Sequence, residues 1–155
     1  MKETPHPVGR WHVVARGALW ALVYNLVWCV AWFAFMRAEW RAAAAAIGRA
    51  MPWSAEVWIT WGILSFPLGA AIVAYATSPM HSALKGALYA GVAMWAVISV
   101  GMAISCSQFS PRVIMLDIGT NLIAILAASI VAVLGLPSQG RQKQPNDARV
   151  CVKTL

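Results

Sequence analysis

Apolar residues along this chain neither alternate nor recur at amphipathic spacing; they run almost unbroken through four stretches, at about 17–36, 55–76, 83–105 and 111–136. A hydrocarbon core about 30 Å thick takes about 20 residues of helix to cross, and each stretch is long enough. A lipid-exposed segment must satisfy its own backbone hydrogen bonds, which leaves the helix for an unbroken apolar run. The pattern therefore predicts an all-α protein, a four-transmembrane-helix bundle. Its punctuation agrees. Arg16 and Arg37 bracket the first run, and Thr77-Ser78-Pro79 ends the second. Ser54 and Glu56 set a cap and a negative charge at the start of the second helix, and Ser110-Pro111 opens the fourth in cap-then-proline order.

The connection from Arg37 to Trp53 carries five consecutive alanines, with Trp40, Ile47 and Met51 set away from Arg41. It reads as a short interfacial helix between the first and second spans, or as a linker that is helical because alanine is. Residues 1–16 form a cytoplasmic arm. The first apolar run is too long for a secretory h-region and reads as an uncleaved anchor. Residues 137–155 are polar, basic and without periodic apolar positions, the pattern of a disordered tail.

Composition moves the same way, with 61% apolar and 11% charged residues against roughly 45–50% apolar in soluble domains. The net charge of +7 suits anionic lipid rather than nucleic acid, because no basic stripe interleaves with aromatics. Lys2, Arg10, Arg16, Lys85, Arg141, Lys143, Arg149 and Lys153 fall on one side of the four spans; Arg37, Arg41, Arg49 and Arg112 fall on the other. That bias places both termini in the cytoplasm. The alanine- and arginine-rich composition points to a bacterial inner membrane. Cys29, Cys106 and Cys151 form no CxxC pair and read as free thiols. His6, His12 and His81 gather near one face instead of pairing within spans, so neither a metal nor a haem is implied.

Asp117 is the group with the most chemical potential. It lies about 9 Å down the fourth span, where a carboxylate costs up to about 3 kcal/mol unless it faces protein or water. Asn121 is one turn on and Thr120 beside it. With Arg37, Arg112 or Glu56 from the same membrane side, these residues could build a proton or cation site, or Asp117 could close a buried interhelical ion pair. Asn25 shares a face of the first span with Trp28 and Trp32. That set reads as an apolar-ligand pocket or as packing, with Asn25 as interhelical glue. Gly62, Pro67 and Gly69 loosen the second span. The ladder Ala124, Ala128, Ala132 and the pair Ala87, Gly91 predict close helix contacts.

Lys85-Gly86-Ala87-Leu88-Tyr89-Ala90-Gly91-Val92, Pro111 and Leu116-Asp117-Ile118-Gly119 together resemble bacterial four-span membrane-protein families of unknown function. In these a glycine-rich third helix leads by a short loop to an Asp early in the fourth. Those families carry a Tyr-Asp-Leu-Thr-Asn-like cluster in the third helix where this chain has Trp95-Ala96-Val97-Ile98-Ser99. The resemblance covers the second half of the chain and implies a fold, not an activity. No nucleophile with a base, HExxH or phosphate-binding glycine loop appears, so no catalysis is expected. The leading expectation is a protein that works by association in the lipid bilayer, as a homo-oligomer or a subunit of a membrane complex. Its alternatives are a small transporter or channel-like protein for a proton, cation or small solute, and a binder of an apolar cofactor.

Overall fold

A computed structural model describes residues 9–78, 80, 82–134 and 136; the expected basic tail and the first half of the arm lie outside them. Among the described residues the chain is helical throughout its regular structure. α1 (Arg10–Ala31) passes through a π-helical turn (Trp32–Met36) into α2 (Arg37–Ala46), and α3 (Ala55–Ala76), α4 (Ala83–Ser105) and α5 (Pro111–Val133) follow. Counting Arg10–Ala46 as one helix, four helices are long and apolar enough to cross a membrane. The all-α, four-span reading holds.

The helix expected between the first two spans is α2, and it continues the first span without a break. Nothing from Trp32 to Ala46 is glycine or proline, so nothing stops the helix. At about 1.5 Å per residue the 37-residue helix is far longer than the hydrocarbon is thick. Helix beyond that length would project from the hydrocarbon, and its charged stretches, Arg10–Arg16 and α2, lie at its two ends. Its stop is a Schellman turn: Gly48 takes a positive φ of 63°, its N–H donates to Ala45 O, and Arg49 N–H reaches back to Ala44 O at 3.0 Å.

One buried stripe runs the length of this helix. Trp20, Tyr24, Trp28, Trp32, Met36, Trp40 and Ala44 recur at every fourth position and all are buried. In an ideal α-helix four residues overshoot a full turn by about 40°, so the stripe would wind off the interface. The π turn corrects it. There Arg37 N–H donates to Trp32 O, each residue advances through a smaller angle, and Trp40 returns to the face that Trp28 occupies.

In the bundle α1 packs on α3 and α5, and α4 packs on α5 and α3. α1 and α4 stand at opposite corners. The end holding the start of α1 is tight. A Cβ on Gly17 would lie 2.6 Å from the Ala70 backbone, and one on Gly69 would lie 2.5 Å from Gly17 O. Gly91 meets Ser129 and Ile125 of α5 almost as closely. Arg16 closes this end by donating to Leu134 O at 2.7 Å and to Ala132 O at 3.4 Å, carbonyls at the terminus of α5 where the helix dipole favours a cation.

Full burial along α4 is confined to Gly86, Ala87 and Gly91; beyond them Met94, Trp95, Ile98 and Met102 are partly buried against the core, Trp95 Nε1 donates to Ile118 O of α5 at 2.9 Å, and a groove opens between α4 and α3 toward the π-turn end. The outer faces carry exposed apolar side chains such as Leu22, Ile63, Val97 and Ile123, the surface lipid would solvate. Ala124, Ala128 and Ala132 are each 0% exposed. Their close contacts are made within the protomer.

Candidate ligand cleft at the open end

α5 offers a polar stripe, Asp117, Asn121 and Ser129, to the aromatic stripe of α1. Trp20 Nε1 donates to Ser129 Oγ at 3.1 Å. Tyr24 O–H and Trp28 Nε1 both donate to Asn121 Oδ1, at 2.7 and 3.0 Å. The Asn121 amide donates in turn to Asp117 Oδ1 at 2.9 Å and to Asp117 O at 3.1 Å. Two donors on its oxygen and two acceptors on its nitrogen fix the orientation of that amide. Asn121 is the hub of the bundle's interior.

Asp117 is fully buried. Trp40 is near enough to act on its carboxyl, yet neither Trp40 Nε1 nor Asp117 Oδ2 has a partner within hydrogen-bonding geometry. Cys106 lies on the same side; burial first, and the Asp117 carboxylate second, push its thiol above the ordinary value. The remaining candidates do not gather here. Thr120 Oγ1 donates to Leu116 O in its own helix. Arg112 pairs with Glu39 of α2 at 3.0 Å on the exposed surface, Arg37 is exposed, and Glu56 accepts from the Ser54 hydroxyl. Neither the ion pair nor the cation site anticipated for Asp117 assembles from these groups. Among the described residues, no cluster of three or more His, Cys, Asp or Glu side chains could hold a metal ion.

Trp28 and Trp32 do meet a larger structure. Their rings stack at 5.9 Å, and Trp53 and Trp58 close on Trp28 at 5.1 and 5.2 Å in tilted and edge-on geometry, arrangements the ring quadrupole favours. Trp40 extends the cluster through Trp53 and Phe109. Asn25 ties α1 to α3 by donating to Ser65 Oγ at 2.8 Å and also to Ala21 O.

Between these rings and the hub lies a recess of about 30 Å³, lined by Tyr24, Asn25, Trp28, Trp58 and Asn121 among others. That volume admits a water or two. It shares Trp53, Trp61, Ile98 and Met102 with a wider groove of about 320 Å³, bounded by Val57 of α3 and Gly101 and Ser105 of α4. The groove falls in the size range of small-molecule sites. It lies between the first turns of α3 and the last turns of α4, where the bundle opens.

The two candidate sites read from the sequence, the polar group around Asp117 and the Trp28–Trp32 face, are thus one site joined through Asn121. Tyr24, Trp40, Trp53, Trp58 and Trp61 were not anticipated in it. The available signal was the strict spacing of four from Trp20 to Trp40, which a single helical period does not suggest. No protein-family model, curated protein or solved structure matches the chain.

Proposed function

We propose that this chain is a non-catalytic membrane protein that binds a flat, largely apolar molecule with one polar end in the cleft between α3 and α4. The observation that carries this reading is the joining of a tryptophan-lined groove to a recess ending on Tyr24, Asn25 and Asn121. Aromatic walls supply apolar area with little side-chain entropy to lose, and a few convergent polar groups set orientation, which is the usual composition of a ligand site. The alanine- and arginine-rich composition supports a bacterial inner-membrane setting, and the basic-residue bias supports both termini being cytoplasmic, which would open the cleft near the opposite membrane face. Association with a second copy or a larger complex loses one support, because the small-residue ladders are spent inside the protomer. Cation transport draws little from the site, since Asp117 gathers no second carboxylate. The four-span family that the second half resembles supplies a fold and leaves this reading free.

Gly101 provides the test. It bounds the groove, and a Cβ added there meets nothing within 4 Å. Gly101→Leu fills the groove while replacing a helix-interior glycine, which raises helix stability by about 0.5–1 kcal/mol. In proteoliposomes the native chain should bind 1-naphthol saturably above protein-free liposomes. Gly101→Leu should lose at least about tenfold in that affinity with an unchanged or higher unfolding midpoint. Uptake that stays linear and equal to bare lipid removes the proposal, since acyl chains then account for the groove.

A further inference from the structure

Five aromatic side chains, those of Tyr24, Trp28, Trp53, Trp58 and Trp61, line the recess, and Trp53 and Trp61 line the groove as well. The face of such a ring is the negative part of its quadrupole, and it attracts a cation without any hydrogen bond. Asp117 is fully buried and is joined to the recess wall by the 2.9 Å bond from the Asn121 amide. Its Oδ2 has no partner. The arginines at this end of the bundle, Arg37, Arg41, Arg49 and Arg112, are all exposed, and Arg112 turns out to Glu39. Among the described residues, no charged side chain of either sign lines the recess or the groove. The interior thus holds a carboxyl without a countercharge, a costly arrangement that a bound cation would relieve.

Resting on the binding proposed above, we propose that the polar end of the ligand is an organic cation of the quaternary ammonium class. A trimethylammonium head is too large for the recess of about 30 Å³ and sits at its mouth, where recess and groove share Trp53 and Trp61. There the indoles attract its charge, and the Asp117 carboxylate acts from behind Asn121 through a medium of low dielectric. An inorganic cation would need oxygen ligands, which do not gather at Asp117; a quaternary ammonium does not need them. The N–H groups of Trp53, Trp58 and Trp61 remain free to donate to an accepting atom elsewhere on the ligand. A quaternary nitrogen neither donates nor accepts, so at that position the wall reads charge alone.

The experiment displaces 1-naphthol from proteoliposomes of the full chain in zwitterionic lipid. The competitors are (1-naphthylmethyl)trimethylammonium and 1-neopentylnaphthalene, which share a shape and differ by nitrogen for carbon, hence by charge. Each competitor's concentration is the one dissolved in the bilayer, taken from its partition into protein-free liposomes. The ammonium should compete about tenfold better, the scale of a cation held by aromatic rings out of water. Asp117→Asn and, separately, Trp61→Leu should each cut that ratio at least about threefold, since the hydrocarbon feels neither the carboxylate nor the ring quadrupole. Unfolding midpoints of the two variants, compared with that of the native chain, establish that each is folded. Equal competition by the two probes overturns the cation rule while the cleft stands, and so does a ratio that survives both substitutions. If 1-naphthol itself does not bind above bare lipid, the cleft and its selectivity fall together.

Discussion

Asn121→Leu should be among the most damaging single substitutions in the chain, lowering unfolding free energy by about 3–5 kcal/mol. The amide takes part in four hydrogen bonds, two accepted from α1 and two donated to Asp117. Removing it leaves the Tyr24 hydroxyl, the Trp28 N–H and Asp117 Oδ1 buried without partners, at about 1–3 kcal/mol for each orphaned group before relaxation. A hydrogen bond between membrane helices averages well under 2 kcal/mol when cleanly deleted, so the size of this effect lies in the orphans. Tyr24→Phe supplies the contrast. It deletes one donor and leaves Asn121 Oδ1 still bonded to Trp28, for a cost of about 1 kcal/mol. Reversible unfolding in mixed micelles, followed by tryptophan fluorescence, ranks the two. A hub reading fails if Asn121→Leu costs no more than Tyr24→Phe.

The same accounting explains why Asp117 is no structural keystone despite its depth. Its Oδ2 has no partner, and Asn121 reaches its backbone carbonyl as well as its carboxyl. Asp117→Asn therefore preserves most of the local bonding. Its effect on stability should stay within about 1 kcal/mol, measured in the same micelles.

Four apolar helices were legible in the sequence because lipid imposes a length and forbids open backbone, so hydropathy alone carries the topology. Caps at Ser54 and Ser110-Pro111 marked helix starts for the same local reason. Asp117 and Asn121 were legible as a pair because one turn of α5 brings them together. Their partners were not, since Arg112, Arg37 and Glu56 share a membrane side with Asp117 without sharing its depth or its face. Trp53, Trp58 and Trp61 come from a connection and the opening turns of α3, and only tertiary packing sets them against Trp28. The π turn hides the rest. A stripe at every fourth residue looks like a drifting face until a local widening of the helix holds it in register.

The opening of the cleft depends on how closely the opposite end shuts, and Gly17→Ala should show it. Its Cβ would sit 2.6 Å from Ala70 N and Cα; these are backbone atoms that cannot rotate aside, so α1 and α3 must part. Overpacking of this kind costs about 1–3 kcal/mol. The loss should lie at the upper end, because Gly69 meets Gly17 O at the same crossing and small residues are what let membrane helices approach. Gly91→Ala meets the Ser129 hydroxyl at 2.9 Å and an Ile125 methyl at 3.0 Å, side-chain atoms that can move, and should cost about 1 kcal/mol. Gly101→Ala meets nothing and should gain up to about 1 kcal/mol. The three substitutions add the same methyl to three helical glycines, so propensity alone predicts one common gain. A graded series, strongly negative at Gly17, weaker at Gly91 and positive at Gly101, means that the bundle is clamped at the α1 entry and free at the cleft. If Gly17→Ala instead matches Gly101→Ala, the clamp is absent, and the groove between α3 and α4 cannot be attributed to helices pinned at one end and diverging toward the other.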